Sequence, residues 1–223
     1  MNHRTRIKIC GLTRIEDVRA AVAAGADAIG LVFYRPSPRY IAPADAARLL
    51  AAVPPFVSSV GLFVNASEQE VEETLKLAPV SLLQFHGDET PSQASAIARR
   101  VNRPFLQALR MKPGMGAADL LEYEQSYRAA DTLFAGLLLD AFVEGYGGGG
   151  KVFDWSLIPK ELAPRVVLSG GLSVQNATEA VRAVRPHAVD VSSGVELSKG
   201  IKDAARIRAF IDAVRRADAS PEK

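Results

Sequence analysis

With one cysteine and three histidines in 223 residues, the chain has few residues for redox or metal chemistry. A lone thiol, Cys10, forms no internal disulfide, so nothing points to an oxidising compartment and the reduced cytosol is the simplest setting. No apolar h-region or small-residue cleavage site follows the basic "MNHRTR", and no uninterrupted apolar run reaches about 18 residues, so neither export nor membrane insertion is expected. Charge of one sign is not in excess: 27 basic against 25 acidic residues give a net +2, which provides no nucleic-acid footprint. His3, His86 and His187 lie far apart in the chain without ligand spacing, so no metal is expected.

The composition is that of an ordinary globular protein, 48% hydrophobic and 23% charged, long enough for one large α/β domain or two small ones. Apolar, β-branched runs recur from end to end: "RIKIC", "AIGLVF", "SSVGLFV", "SLLQF", "PFLQALRM", "TLFAGLLLD", "RVVLS" and "AVDVSS". Amphipathic patterns such as "IEDVRAAVAAG", "PADAARLLAAV", "SEQEVEETLKLA", "PSQASAIARRV", "NATEAVRAV" and "AARIRAFIDAVRR" separate them. Glu70 follows Ser67 at capping-box spacing, and Gly25 closes the first helical pattern. Strands that alternate with helices pair in parallel through right-handed crossovers. About eight such units, slightly above the ~200-residue lower limit, predict a closed (β/α)8 TIM barrel. No linker or low-complexity segment interrupts the series, so residues 1–223 are expected to form a single domain. An open doubly wound sheet is the other candidate, but the G-x-G-x-x-G fingerprint is absent because the first strand runs into "CGLTR". The sixth unit departs from the pattern, with "AFVEGYGGGGKVFDWSLIPKEL" spending much of its length as a glycine-rich loop of the kind that usually serves function.

In a closed barrel the chemistry sits at the C-terminal ends of the strands. Cys10 ends the first strand with Lys8 on the same face; it is either a reactive thiol or a small buried hydrophobe. Asp140 ends a long apolar run abruptly, as a rim carboxylate or as a turn residue. "SGG" at 169–171 and "SSG" at 192–194 follow the seventh and eighth strands, where barrels cradle phosphate with backbone N–H groups. In "YRPSPRY", two prolines stiffen the loop that carries Arg35 and Arg39, either of which can grip a carboxylate or simply belong to an exposed turn. "QFHG" brings Gln84 and His86 to the same rim.

Taken together and in order, "KICGLT", "GLVFYRPSPRY", "LLQFHGDE", "LLLDA", "GGGGKVFDW", "LSGGL" and "VDVSSGVE" resemble the phosphoribosylanthranilate isomerase family, barrel enzymes of tryptophan biosynthesis. One departure is an all-glycine stretch at 147–150, where the family usually carries a threonine or serine. The resemblance implies an Amadori rearrangement of N-(5-phosphoribosyl)anthranilate by general acid-base catalysis, with Cys10 as base and Asp140 as acid. It further implies that Arg39 holds the anthranilate carboxylate. Gln84 and His86 would shape the sugar site, and backbone groups of Gly170, Gly171, Ser193 and Gly194, with Gly149 and Gly150, would hold the phosphate. Cys10 then needs a positive neighbour to supply thiolate, whereas Asp140 needs an apolar setting that keeps it protonated. Lys8 paired with Asp190 across neighbouring first and last strands is the expected source of positive charge. No cofactor follows, because proton shuttling suffices. The partner is a small phosphorylated substrate, and the protein itself is a monomer or homodimer. Rival readings are a lyase or a non-catalytic sugar-phosphate-binding barrel; a Schiff-base aldolase fits poorly, since Lys8 lies two residues inside the strand end.

Overall fold

A computed structural model describes residues 4–141 and 152–219. Eight parallel strands close into one barrel, each hydrogen-bonded to its neighbours in sequence order. They are β1 (Arg6–Ile9), β2 (Ala28–Val32), β3 (Ser58–Phe63), β4 (Leu82–Phe85), β5 (Phe105–Met111), β6 (Phe134–Ala141), β7 (Val167–Leu168) and β8 (Ala188–Val191). Around them lie α1 (Ile15–Ala24), α2 (Pro43–Leu50), α3 (Glu68–Leu77), α4 (Pro91–Val101), α5 (Ala117–Ala130), α6 (Ala177–Val184) and α7 (Ala204–Ala219). Between β6 and β7 the described chain forms two 3-10 turns, Trp155–Leu157 and Ala163–Arg165, in place of an α-helix. A short antiparallel hairpin, β9 (Glu196–Ser198) with β10 (Ile201–Lys202), fills the connection from β8 to α7.

Local sequence explains several boundaries. Ser67 accepts from the Glu70 N–H while the Glu70 carboxylate accepts from the Ser67 N–H, so two orphan donors at the start of α3 are satisfied. Thr90 and Gln93 do the same for α4, with Pro91 in its first turn. α1 stops at Gly25, whose φ of 93° places it in the left-handed region.

Side chains facing outward from the strands pack with the inner faces of the helices into the large apolar core. Inside the cylinder sits a smaller cluster of Leu106, Ala108, Leu138, Val167 and Ala188, with Leu82 against it. Residues from five strands meet there only because all of them point inward. Because side chains alternate with period two, two positions further along those strands Gln84, Asp140 and Asp190 share the inner face, nearer the C-terminal rim. Barrel closure sets Lys8 opposite Asp190 in the β1–β8 register. No helix among the described residues is long and apolar enough to cross a membrane.

Candidate active site

Lys8 on β1 and Cys10, one residue past its end, point to the same inner face, and both are buried. Lys8 Nζ donates to Asp190 Oδ1 at 3.0 Å, so the expected pairing across the closing seam is present, and to Gln84 Oε1 at 2.8 Å. Gly30 on β2 makes room for this pair: a β-carbon there would stand 2.8 Å from Cys10 Sγ and 3.0 Å from Lys8 Cε. Burial works against the Lys8 ammonium, but attraction to Asp190 and Cys10 outweighs it and its pKa lies above the ordinary lysine value. Burial also pushes the Cys10 thiol up, further than Lys8 and Lys202 pull it down, while Asp190 adds to the rise. The expectation of a thiol lowered by its positive neighbour therefore holds for the neighbour and not for the net direction. The sulfur has lost more hydration than the nearby cations restore.

His86 follows β4, and its Nε2 lies 3.1 Å from Asp140 Oδ2 on β6. Asp140 Oδ1 accepts from the N–H of Ala141 at 2.9 Å. Both carboxyl oxygens thus have polar partners, unlike the apolar setting expected from "LLL"; those leucines alternate, and only Leu138 shares the inward face of Asp140. Gln84 is 0% exposed, with its oxygen on Lys8 and its nitrogen 2.9 Å from His86 Nδ1. It presents no surface to the mouth, so any effect on a sugar passes through His86.

Of the two loop arginines, Arg35 is exposed over the Tyr40 ring, 5.4 Å from its centroid. Arg39 turns toward the rim, where its Nε and Nη2 each donate to a different Glu196 oxygen at 2.8 Å. Glu196 also accepts from Lys202 Nζ at 2.8 Å, and Lys202 donates to the carbonyl of Ser192 just past β8. Burial pushes Glu196 up, but Arg39 and Lys202 outweigh it and leave the carboxyl below its usual range. Burial lowers the Lys202 ammonium, with Glu196 opposing. Sequence reasoning missed Glu196 and Lys202, which owe their place to the β9–β10 hairpin.

The loops after β7 and β8 meet through a bridge between Ser173 and Gly194. Gly170 and Gly171 hold φ of 81° and 65°, which favour glycine. Gly170 also passes so close to the acid that a β-carbon would stand 2.8 Å from Asp140 Oδ1 and 2.3 Å from the Ala141 nitrogen. Asn176 braces this loop: its Oδ1 accepts from the Ser173 N–H at 2.8 Å and its Nδ2 donates to the Gly171 carbonyl at 3.0 Å. Ser193 and Gly194 lie beside that loop, with the Ser193 carbonyl accepting from the Glu196 N–H. The structure therefore brings Cys10, Asp140, Arg39, His86, Gly170, Gly171, Ser193 and Gly194 to one rim, whereas Gly149 and Gly150 lie outside the described residues.

Comparison with known proteins points one way. The family model described as N-(5'phosphoribosyl)anthranilate (PRA) isomerase matches residues 7–213. A protein from Herminiimonas arsenicoxydans named N-(5'-phosphoribosyl)anthranilate isomerase is 68% identical over 220 residues, 99% of this chain and 97% of that one. The crystal structure of phosphoribosyl anthranilate isomerase from Thermotoga maritima superposes with a TM-score of 0.83 at 40% identity, covering 95% of this chain and 99% of that one. A phosphoribosyl anthranilate isomerase solved in complex with reduced 1-(o-carboxyphenylamino)-1-deoxyribulose 5-phosphate gives a TM-score of 0.80 at 38% identity with the same coverage.

Proposed function

The chain belongs to the N-(5'-phosphoribosyl)anthranilate isomerase family, and from that premise and the geometry of its rim we infer that it catalyses the Amadori rearrangement of N-(5-phosphoribosyl)anthranilate to 1-(2-carboxyphenylamino)-1-deoxyribulose 5-phosphate in tryptophan biosynthesis. Asp140 gives a proton to the furanose ring oxygen as the C1'–O bond breaks and the anthranilate nitrogen lone pair forms the imine. Cys10, as thiolate, removes the C2' proton; the C–H electrons form the C1'=C2' bond as the C1'=N pair returns to the nitrogen, giving an enolamine that tautomerises to the ketose. One observation carries this reading: the Asp140 carboxyl on the inner face of β6 ends a buried polar chain through His86, Gln84 and Lys8, and the Cys10 thiol lies just past β1 on the same face as Lys8.

Arg39 receives the anthranilate carboxylate. Glu196 occupies its Nε–Nη2 edge, so the substrate meets the remaining end of the fork. Backbone groups of Gly170, Gly171, Ser193 and Gly194 hold the phosphate where the two loops are bridged, since glycine lets an anion approach the main chain. A Schiff-base role for Lys8 is disfavoured because Asp190 and Gln84 both accept from its ammonium and its pKa is raised, which removes the free amine such chemistry requires. A base that must stay a free thiol also suits a reducing, cytosolic setting.

The test is an assay following loss of phosphoribosylanthranilate fluorescence. Cys10→Ala and Asp140→Asn are each expected to lower kcat by at least ~10²-fold with KM less affected, the usual scale for losing a general acid or base. Gly171→Val should instead raise KM by obstructing the anion site. Turnover by Cys10→Ala at the wild-type rate would remove the base assignment.

A further inference from the structure

We propose that Gln84 is a positioning residue that sets the tautomer of His86 and so aims the imidazole Nε2–H at the carboxyl group of Asp140. The inference rests on the acid role given to Asp140 and extends it to a side chain that touches no substrate.

The argument is one of donors and acceptors. An ammonium has three donors and no acceptor. Lys8 Nζ lies 2.8 Å from one end of the Gln84 amide, so that end is the carbonyl oxygen. The other end is then the NH2 group, which only donates, and it lies 2.9 Å from His86 Nδ1. Nδ1 accepts through its lone pair, which leaves the ring proton on Nε2, 3.1 Å from Asp140 Oδ2. Asp190 holds the first member in place by accepting from Lys8 at 3.0 Å. The direction of every hydrogen bond from β8 through β1 and β4 to β6 is thereby fixed by the charge on Lys8.

Each alternative sets donor against donor in a buried place. The other His86 tautomer points Nδ1–H at the Gln84 NH2, and a flipped amide points that NH2 at the Lys8 ammonium. Gln84 is 0% exposed, so water is not at hand to relieve either clash. The chain orients and does not conduct: moving a proton through it would require the amide to pass through its imidic acid form. What it supplies is a carboxyl held by two donors, His86 Nε2–H on Oδ2 and the Ala141 N–H on Oδ1, before the sugar arrives. With those two positions taken, the acid O–H of Asp140 is left to point at the ring oxygen it must protonate.

The test reads the tautomer directly. Long-range ¹H–¹⁵N correlation on the histidine-labelled protein separates a protonated from an unprotonated ring nitrogen; the signals of His86 are identified by their loss in His86→Asn. The expected wild-type result is a single tautomer, with the proton on Nε2. In Gln84→Glu the carboxylate accepts from the ring, so Nδ1 should gain a proton, and kcat should fall on the order of 10- to 100-fold, the scale of a misaligned catalytic group, with KM nearly unchanged. Gln84→Met keeps the volume but removes both hydrogen bonds, and should show mixed tautomers with an intermediate kcat. A wild-type His86 carrying its proton on Nδ1, or an unchanged tautomer in both variants, would overturn the proposal even if Asp140→Asn is inactive. Conversely, tautomers that respond as expected alongside a fully active Asp140→Asn would leave the positioning intact and remove the acid role.

Discussion

Cys10 is subject to two opposed effects, and their balance sets how this site makes its base. Dehydration in the wall of the barrel favours the neutral thiol, and the Lys8 and Lys202 ammonium groups favour the thiolate; the first is larger. The resting site is therefore a neutral thiol beside a charged lysine, with thiolate appearing at higher pH than for an ordinary cysteine near 8.5. The rate of iodoacetamide alkylation, followed against pH, should rise with a midpoint above that value. Lys8→Met removes the largest of the lowering influences, so the midpoint should move further up. Asp190→Asn removes a raising influence and should move it down. A midpoint unmoved in Lys8→Met would mean that the ammonium and the sulfur are not coupled. The same residue scale holds the small positions: Gly30 and Gly170 are where β2 and the loop after β7 yield space to Cys10 and Asp140.

At the scale of elements, the β9–β10 hairpin has the least evident origin. Its carboxylate Glu196 joins Arg39 of the loop after β2 to Lys202 of its own second strand, which pins the hairpin onto the rim. Glu196 titrates below the ordinary glutamate value near 4.3. Its contribution to stability is complete above that ordinary value and is lost as pH falls through the depressed one. Glu196→Gln should cost about 2 kcal/mol at neutral pH, because two cations then face a neutral acceptor. The gap from wild type should close as pH falls through the depressed range and the wild-type carboxyl gains its proton; urea unfolding at a series of pH values measures both effects. None of this was legible in "VELSKGIK", which is too short and too exposed to show a period, and in which Glu196 and Lys202, unlike the exposed Lys199, are buried only because a distant loop folds over them. The eight barrel strands were legible for the opposite reason: packed on both faces, each is a nearly continuous apolar run between turn residues. Cys10, Asp140 and the glycines after β7 and β8 could be read because strand ends are marked in sequence. The Lys8–Asp190 pair could be read from closure of the first strand on the last, whereas the role of Gln84 depends on Lys8 76 residues away along the chain, and a distance of that kind leaves no local trace.

For the whole molecule, closure is the controlling event. β1 completes the cylinder by pairing with β8, so the chain's two ends must meet before Lys8 finds Asp190. A second contact reinforces the seam outside the barrel: the Asp218 carboxylate near the end of α7 accepts from the Thr5 N–H at 2.8 Å and from the Thr5 hydroxyl at 2.7 Å. We propose that the chain behaves as one cooperative domain, because the site draws on β1, β4, β6 and β8 and no subset of strands retains a closed ring. Thermal or urea unfolding followed by far-UV circular dichroism, by Cys10 alkylation and by residual isomerase activity should then give coincident transitions. Asp218→Ala, far from the chemistry, is the decisive variant. It should lower stability by about 2 kcal/mol through two lost hydrogen bonds to a charged group, and shift all three transitions together. Activity lost ahead of the circular dichroism signal would show instead that the seam opens by itself, with the ion pair between Lys8 and Asp190 breaking while the remaining strands stay folded.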